Sequence, residues 1–219
     1  MTDTIDDVDE HPIIFNEWSI NRILAGEKTQ TRRIVNPQPD PDRELEIYPY
    51  YHDRPVLDGM KYDNRWEPYP EGGVLWVREA FRMPVGCDGK YTPKEYISSS
   101  GYTQGVPGRF QYEADGKRAC EVAGKRDACA VEWGRKRPPI HMPKELCRLR
   151  LRVEDVWVQR VQRIGNDDAK AEGIDPDAPV RDYTAREKFS HLWDDVHGSG
   201  AWERNDWVWV ITFSRIDNA

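Results

Sequence analysis

The stretch "LCRLRLRVEDVWVQRVQRI", from Leu146 to Ile164, constrains the fold more than any other part of the chain. Leu149, Leu151 and Val153 alternate with Arg148, Arg150 and Arg152. A period of two places the apolar side chains on one face of an extended strand and the arginines on the other. The run therefore predicts a long strand with one buried and one solvated face. Three other segments have strand character. "EGGVLWVREAF" opens on a Gly72–Gly73 turn, and a regular strand would point Val74, Trp76 and Arg78 one way and Leu75, Val77 and Glu79 the other. "RFQYEAD" and the closing "NDWVWVITFSRI" follow the same logic, and "PIIF" is a short apolar strand near the start.

Helical spacing occurs in three places. In "NEWSINRILAG", Ile20, Ile23 and Leu24 share a face, Asn16 or Ser19 suits the N-cap, and Gly26 suits the left-handed stop. In "NDDAKAEGI", Asn166 is the expected cap, with Asp167 and Asp168 in the first turn where the dipole favours acid. In "TAREKFSHLWDDVHG", Phe189, Leu192, Trp193 and Val196 form the expected apolar face and Gly198 the stop. The βαβ alternation of a doubly wound fold is missing. The expected class is α+β: a curled mixed sheet or small barrel closed by its terminal strands.

Residues 1–11 read as an acidic leader, and 12–216 as a single domain with insertions around 36–70 and 84–135. Within those insertions, "ELEIYPY" has strand character and "EVAGKRDACA" helical character. The leader lacks an apolar signal-peptide core, and no apolar run approaches the ~18 residues of a membrane helix. A soluble cytoplasmic protein is expected, in its own cell or an infected host, as a monomer or dimer. The formal net charge of −7 argues against coating duplex DNA by charge alone, although a local basic pocket is compatible with it. Cys87, Cys120, Cys129 and Cys147 lack the paired spacing of a zinc site. Cys129, His141 and Cys147 would meet on a metal only through the fold, so neither metal nor cofactor is expected.

The densest polar stretch is "LAGEKTQTRRI". Lys28 and Thr31, three apart, would share a face if the segment kept one helical turn. A lysine beside a threonine can hold an anion. With its pKa lowered by burial it can instead take the hydroxyl proton. Arg32 and Arg33 suit a phosphate or a carboxylate. A solvated basic helix end would have the same composition. Glu172 closes its helix just before Gly173, where the dipole disfavours an acid. Glu79 ends a strand next to Arg78, on the opposite face. His141, in "RPPIHMP", is held stiffly between prolines and suits a binding wall or a packed loop. Trp76, Trp207 and Trp209 sit in strands, where tryptophan usually fills core. Trp66 and Trp133 lie in polar loops, where a ring is free to stack on a base. GxGxxG, P-loop, HExxH and GxSxG motifs do not occur.

Taken in order, "ILAGEKTQTRRI", "GGVLWVREAF", "RPPIHMP", "RVEDVWVQRVQRIGNDDAKAEGI", "FSHLWDDVHG" and "AWERNDWVWVITFSRI" resemble ASCH-domain proteins, especially those of phages and prophages. That resemblance implies a PUA-like mixed β-barrel with flanking helices. It implies binding of RNA or a modified base. A small bacterial member is an amidohydrolase that removes the acetyl group of N4-acetylcytidine, using a lysine and a threonine in a KxxT stretch and a distant glutamate. On this sequence Lys28 and Thr31 match the stretch in "KTQT", Glu172 matches the glutamate, and Arg33 matches an arginine after the pair. The resemblance therefore implies catalysis by Lys28, Thr31 and Glu172. Arg32, Arg33, Trp76, Arg78, Glu79, Trp133 and His141 are the substrate-binding candidates. The implied substrate is an N4-acylated cytosine nucleoside or nucleotide. A non-catalytic reader of modified bases or single-stranded RNA, with "GKR" and "GRKR" on phosphates, is the alternative, as is a ribonuclease.

Overall fold

A computed structural model of the chain describes residues 9–38, 69–84, 110–116, 132–175 and 183–216. In chain order the elements are β1 (Glu10–Ile14), α1 (Glu17–Leu24), β2 (Gln30–Ile34), β3 (Val74–Arg78), β4 (Phe81–Arg82), β5 (Gln111–Tyr112), β6 (Arg150–Arg160), α2 (Asn166–Ala171), α3 (Ala185–His197), α4 (Ala201–Arg204) and β7 (Trp207–Ile216). Short 3-10 turns cover Pro139–His141, Lys144–Leu146 and Val161–Arg163. The strand in "ELEIYPY", the helix in "EVAGKRDACA", Trp66, Cys87, Cys120 and Cys129 lie outside the described residues. β1 begins at Glu10, so the last residues of the acidic leader belong to a strand.

β6 and β7 are the long strands that their patterns predict. Leu149, Leu151 and Val153 are buried, as are Val208, Val210 and Ile211. The main sheet has five strands in the order β1-β3-β6-β7-β2, and β4-β5 form a separate two-stranded sheet. β2 runs antiparallel to β7, with Gln30 opposite Thr212 and Ile34 opposite Val208. Hydrogen bonds from Val74 N to Asp9 O and from Phe15 N to Arg78 O run in the parallel sense, so the sheet is mixed.

The expected PUA-like β-barrel is not formed. β1 and β2 lie at opposite ends of the five-stranded order, and neither sheet closes on itself. Closure requires the two end strands to bond to each other. Ahead of β2, the backbone of Thr29 instead donates to Ala171 O at the end of α2 (2.8 Å), so a helix terminus takes up the chain at that point. The architecture is an open α+β sheet with helices.

The chain groups into two compact units. One draws on Met1–His11, Ala25–Val74 and Arg152–Arg215, the other on Pro12–Leu24, Leu75–Leu151 and Ile216–Ala219. In the first, Val35, Val158 and Trp207 form a buried cluster with Trp209 against it. In the second, Phe81, Met83, Phe110, Tyr112, Met142 and Leu146 pack together.

The helix ends follow local chemistry. Asn16 caps α1 by accepting from Ser19 N (2.8 Å), and Ile20 and Ile23 are buried. Gly26 takes the left-handed conformation (φ 77°) that stops the chain from continuing the helix. Thr184 and Glu187 cap α3 reciprocally, and Phe189 and Trp193 are buried. Val196 is 56% exposed rather than part of the apolar face. Phe189 meets the Trp193 ring at 5.8 Å and, edge-on at 6.3 Å, the ring of Trp202 in α4. Asn166 is the first residue of α2 and not its cap. Gly165 precedes the helix, and its N–H is taken by Asp168 (3.4 Å), while Asn166 Oδ1 accepts from Arg186 N (3.1 Å).

Candidate active site

The site in the first unit grows out of an unsatisfied helix end. The last carbonyls of a helix have no partner within it. After α2 the chain turns at Gly173 (φ 94°), and Glu172 is left beside those carbonyls with its own charge opposed to the dipole. The "KT" of "EKTQT" answers both problems. Thr29 N donates to Ala171 O, and Lys28 Nζ donates to Glu172 O (2.8 Å). The same ammonium meets Glu172 Oε2 at 2.5 Å. Glu172 is therefore not a surface acid: it is 5% exposed, and Lys28 is 4% exposed.

Arg32 reaches the other carboxylate oxygen. Its Nη1 donates to Glu172 Oε1 (3.0 Å) and to Gln30 Oε1 (2.7 Å). Its Nη2 lies 3.5 Å from Asp168 Oδ2. The guanidinium also lies 5.8 Å from the centre of the Phe189 ring. Arg32 thus holds carboxylates of the protein itself. Asp168 and Gln30 were not singled out from the sequence. Asp168 had a legible signal, because it stands four residues before Glu172 on one helix face. Gln30 had the matching signal of strand alternation with Arg32.

Lys28 and Thr31 do not share a helical turn. β2 starts at Gln30, so Thr31 lies in extended chain, buried, opposite Ile211. Alternation puts its side chain on the face opposite Gln30 and Arg32. Arg33, half-buried on that same face, feels the charges of Tyr69 and Glu172. It also acts on Lys28 and on His197, whose ring is tilted against Trp193 with centroids 4.1 Å apart.

Burial is the largest influence on Lys28 and pulls its pKa below the usual 10.5. Glu172 opposes that shift, and Arg33 and Arg32 add to it. The result is an amine that gives up its proton more readily than an exposed lysine, fixed against an oxygen of a carboxylate. An ionised carboxylate only accepts hydrogen bonds. Such a pair can take a proton from a nearby hydroxyl and hold a polar N–H of a ligand.

The other predicted residues lie in the second unit's ranges. The Arg78 guanidinium sits 5.4 Å from the centre of the Trp76 ring and donates to Ile140 O. Glu79 is 1% exposed and is gripped by Arg148, with Nε and Nη2 each 2.7 Å from one of its oxygens. Trp133 is half-buried, bridged to Pro84. His141 ends a 3-10 turn and is exposed. Cys147 Sγ donates to Leu149 O (3.0 Å), and burial pushes its thiol up to about 11, so it is protonated at neutral pH. The geometry thus joins Lys28, Glu172 and Arg32 directly. Thr31 and Arg33 lie on the neighbouring strand positions, and Glu79 is tied into a separate ion pair.

No protein-family model, curated protein or solved structure matches the chain.

Proposed function

We propose that the chain is an amidohydrolase, akin to the ASCH-domain proteins, that removes the acyl group from N4-acylated cytosine in a nucleoside or nucleotide. The observation that carries this reading is the buried contact of Lys28 Nζ with Glu172 Oε2, at 2.5 Å. It supplies a lysine that burial makes more acidic and a fixed carboxylate beside it. In its neutral form Lys28 takes the proton of the attacking hydroxyl. The oxygen adds to the amide carbonyl, and Arg33 offsets the charge that develops there. The C–N bond then breaks. The proton on Lys28 passes, directly or over Glu172, to the departing exocyclic nitrogen. With water as attacker the acid leaves at once; with Thr31 an ester forms, which a water then cleaves.

The test is hydrolysis of N4-acetylcytidine, as nucleoside and within a short RNA, followed by chromatography. Lys28→Ala is expected to lower kcat by about 10²–10⁴-fold, the usual worth of a positioned acid–base group. Thr31→Ala decides the nucleophile. A comparable loss assigns the attack to Thr31, and near-normal turnover assigns it to water. Full activity in Lys28→Ala sinks the mechanism. No turnover by the native protein, with RNA binding that weakens steeply as salt rises, would replace it with the reader. Strand cleavage would replace it with the ribonuclease.

A further inference from the structure

We propose that Arg32 is a positioning residue of this site: its guanidinium holds one oxygen of Glu172 so that the other stays committed to the Lys28 amine. In its kinetic arm the inference rests on the amidohydrolase reading.

Four observations carry it. The Arg32 side chain is fully buried, with 0% exposure. Both N–H bonds of Nη1 are spent inside the protein, on Glu172 Oε1 and Gln30 Oε1. Its Nη2 faces Asp168 of α2, the helix whose end carries Glu172. Glu172 itself is divided, with Oε1 on the arginine and Oε2 on the lysine. A carboxylate bound at one oxygen alone is free to swing about its last torsion, which is broad and soft. Bound at both, it presents a fixed oxygen to Lys28. A guanidinium suits this task because it is planar and never loses its charge. An arginine so placed spends Nη1 on the protein's own groups, while its buried Nε and Nη2 make no hydrogen bond among the described residues, so the test below has to separate an effect through Glu172 from a direct substrate contact.

The charge has a second consequence. Among the described residues, the groups facing Lys28 include Glu172 from the end of α2 and Arg32 and Arg33 from β2; behind these stand Asp168, Tyr69 and His197. Among the described residues, Arg32 and Arg33 are cations that disfavour the ammonium form of Lys28. Removal of Arg32 leaves Glu172 to act on Lys28 with one less opposing charge, so Lys28 holds its proton to higher pH.

Two measurements on the full chain test this, using Arg32→Met and Arg32→Lys. The first is the pH profile of kcat and KM on N4-acetylcytidine. The limb that rises with pH should move up by about one unit in Arg32→Met, with kcat lost near neutrality and KM little changed. Arg32→Lys, which keeps the charge but not the fork, should keep the limb near its native position with a partial loss of kcat. A raised KM with an unmoved limb would overturn the proposal in favour of a substrate contact. An equal loss at every pH would overturn it in favour of a purely structural role. The second is NMR titration of 13C-labelled lysine, assigned with Lys28→Ala, which needs no turnover. A Lys28 titration that moves up in Arg32→Met supports the proposal even if N4-acetylcytidine is not a substrate; one that stays in place overturns it. If Arg32→Met does not fold, Arg32→Lys decides alone. A fixed Lys28 titration with reduced kcat supports the proposal, and full kcat overturns it.

Discussion

Two buried glutamates, Glu79 and Glu172, are each held by an arginine, and they are held differently. Arg148 grips Glu79 with two parallel bonds of 2.7 Å and uses Nη1 on Asp115, also at 2.7 Å. Its Cζ lies over the Tyr112 ring, 4.0 Å from the ring centre. Every part of that guanidinium has a partner, and nothing in the pair changes charge readily. Burial pushes Glu79 upward, and the paired bonds and charge of Arg148 oppose that shift. Glu172 divides its oxygens between an arginine and a lysine. Lysine is the cation that burial discharges; arginine is not. A fork–fork pair fixes structure. A carboxylate shared with a buried lysine keeps a proton within reach of chemistry.

The strongest way to break this contrast is to remove one cation from each cluster. Arg148→Met leaves Glu79 buried without a counter-charge and should cost about 3–5 kcal/mol, read from denaturant unfolding. Lys28→Met leaves Glu172 still bound by Arg32 and also removes the cost of burying an ammonium. It should cost only about 1–2 kcal/mol while abolishing turnover. Equal losses of stability would mean that the two clusters are the same kind of structural pair.

A pH series sharpens the same point. The Lys28 amine is shifted below 10.5, so between its lowered value and 10.5 the unfolded chain binds more protons than the folded one. Stability then rises with pH across that window. The native protein should gain on Lys28→Met as pH climbs toward 10.5, by about 1.4 kcal/mol for each unit of depression. A difference that is flat with pH would show that Lys28 titrates as an ordinary lysine.

Much of this was legible. Alternation marked β6, because a half-buried strand has to repeat every two residues, whereas β7 was marked by its apolar run and buries successive residues such as Val210 and Ile211. Glu172 stood out as an acid at the wrong end of a helix. Closure was not legible: it depends on whether β1 bonds to β2, and a hydrophobic pattern shows which face is buried but not which edge is paired. The shared helical turn of Lys28 and Thr31 failed for a local reason. α1 ends at Leu24 and Gly26 stops it, and the β-branched Thr31 and Ile34 favour the extended chain that follows. Arg148 read as one of three arginines on a wet strand face. Its side chain is buried because Glu79, 69 residues earlier, comes to meet it. A partner that distant leaves no periodic trace.

The smallest effects come from the third member of each cluster. Asp115 lies 2.7 Å from Arg148 and is 17% exposed, whereas Asp168 lies 3.5 Å from Arg32 and is 38% exposed. A close, largely desolvated pair is worth more than a longer one open to water. Asp115→Asn should cost about 1–2 kcal/mol, and Asp168→Asn no more than about 0.5 kcal/mol, since an amide oxygen still accepts from Gly165 N. The kinetic order should reverse. Asp168→Asn removes a negative charge behind Arg32, strengthens its pull on Glu172 and should move the pH limb of turnover, whereas Asp115→Asn should leave that limb in place. A limb that moved with Asp115→Asn and not with Asp168→Asn would exchange the roles of the two glutamates.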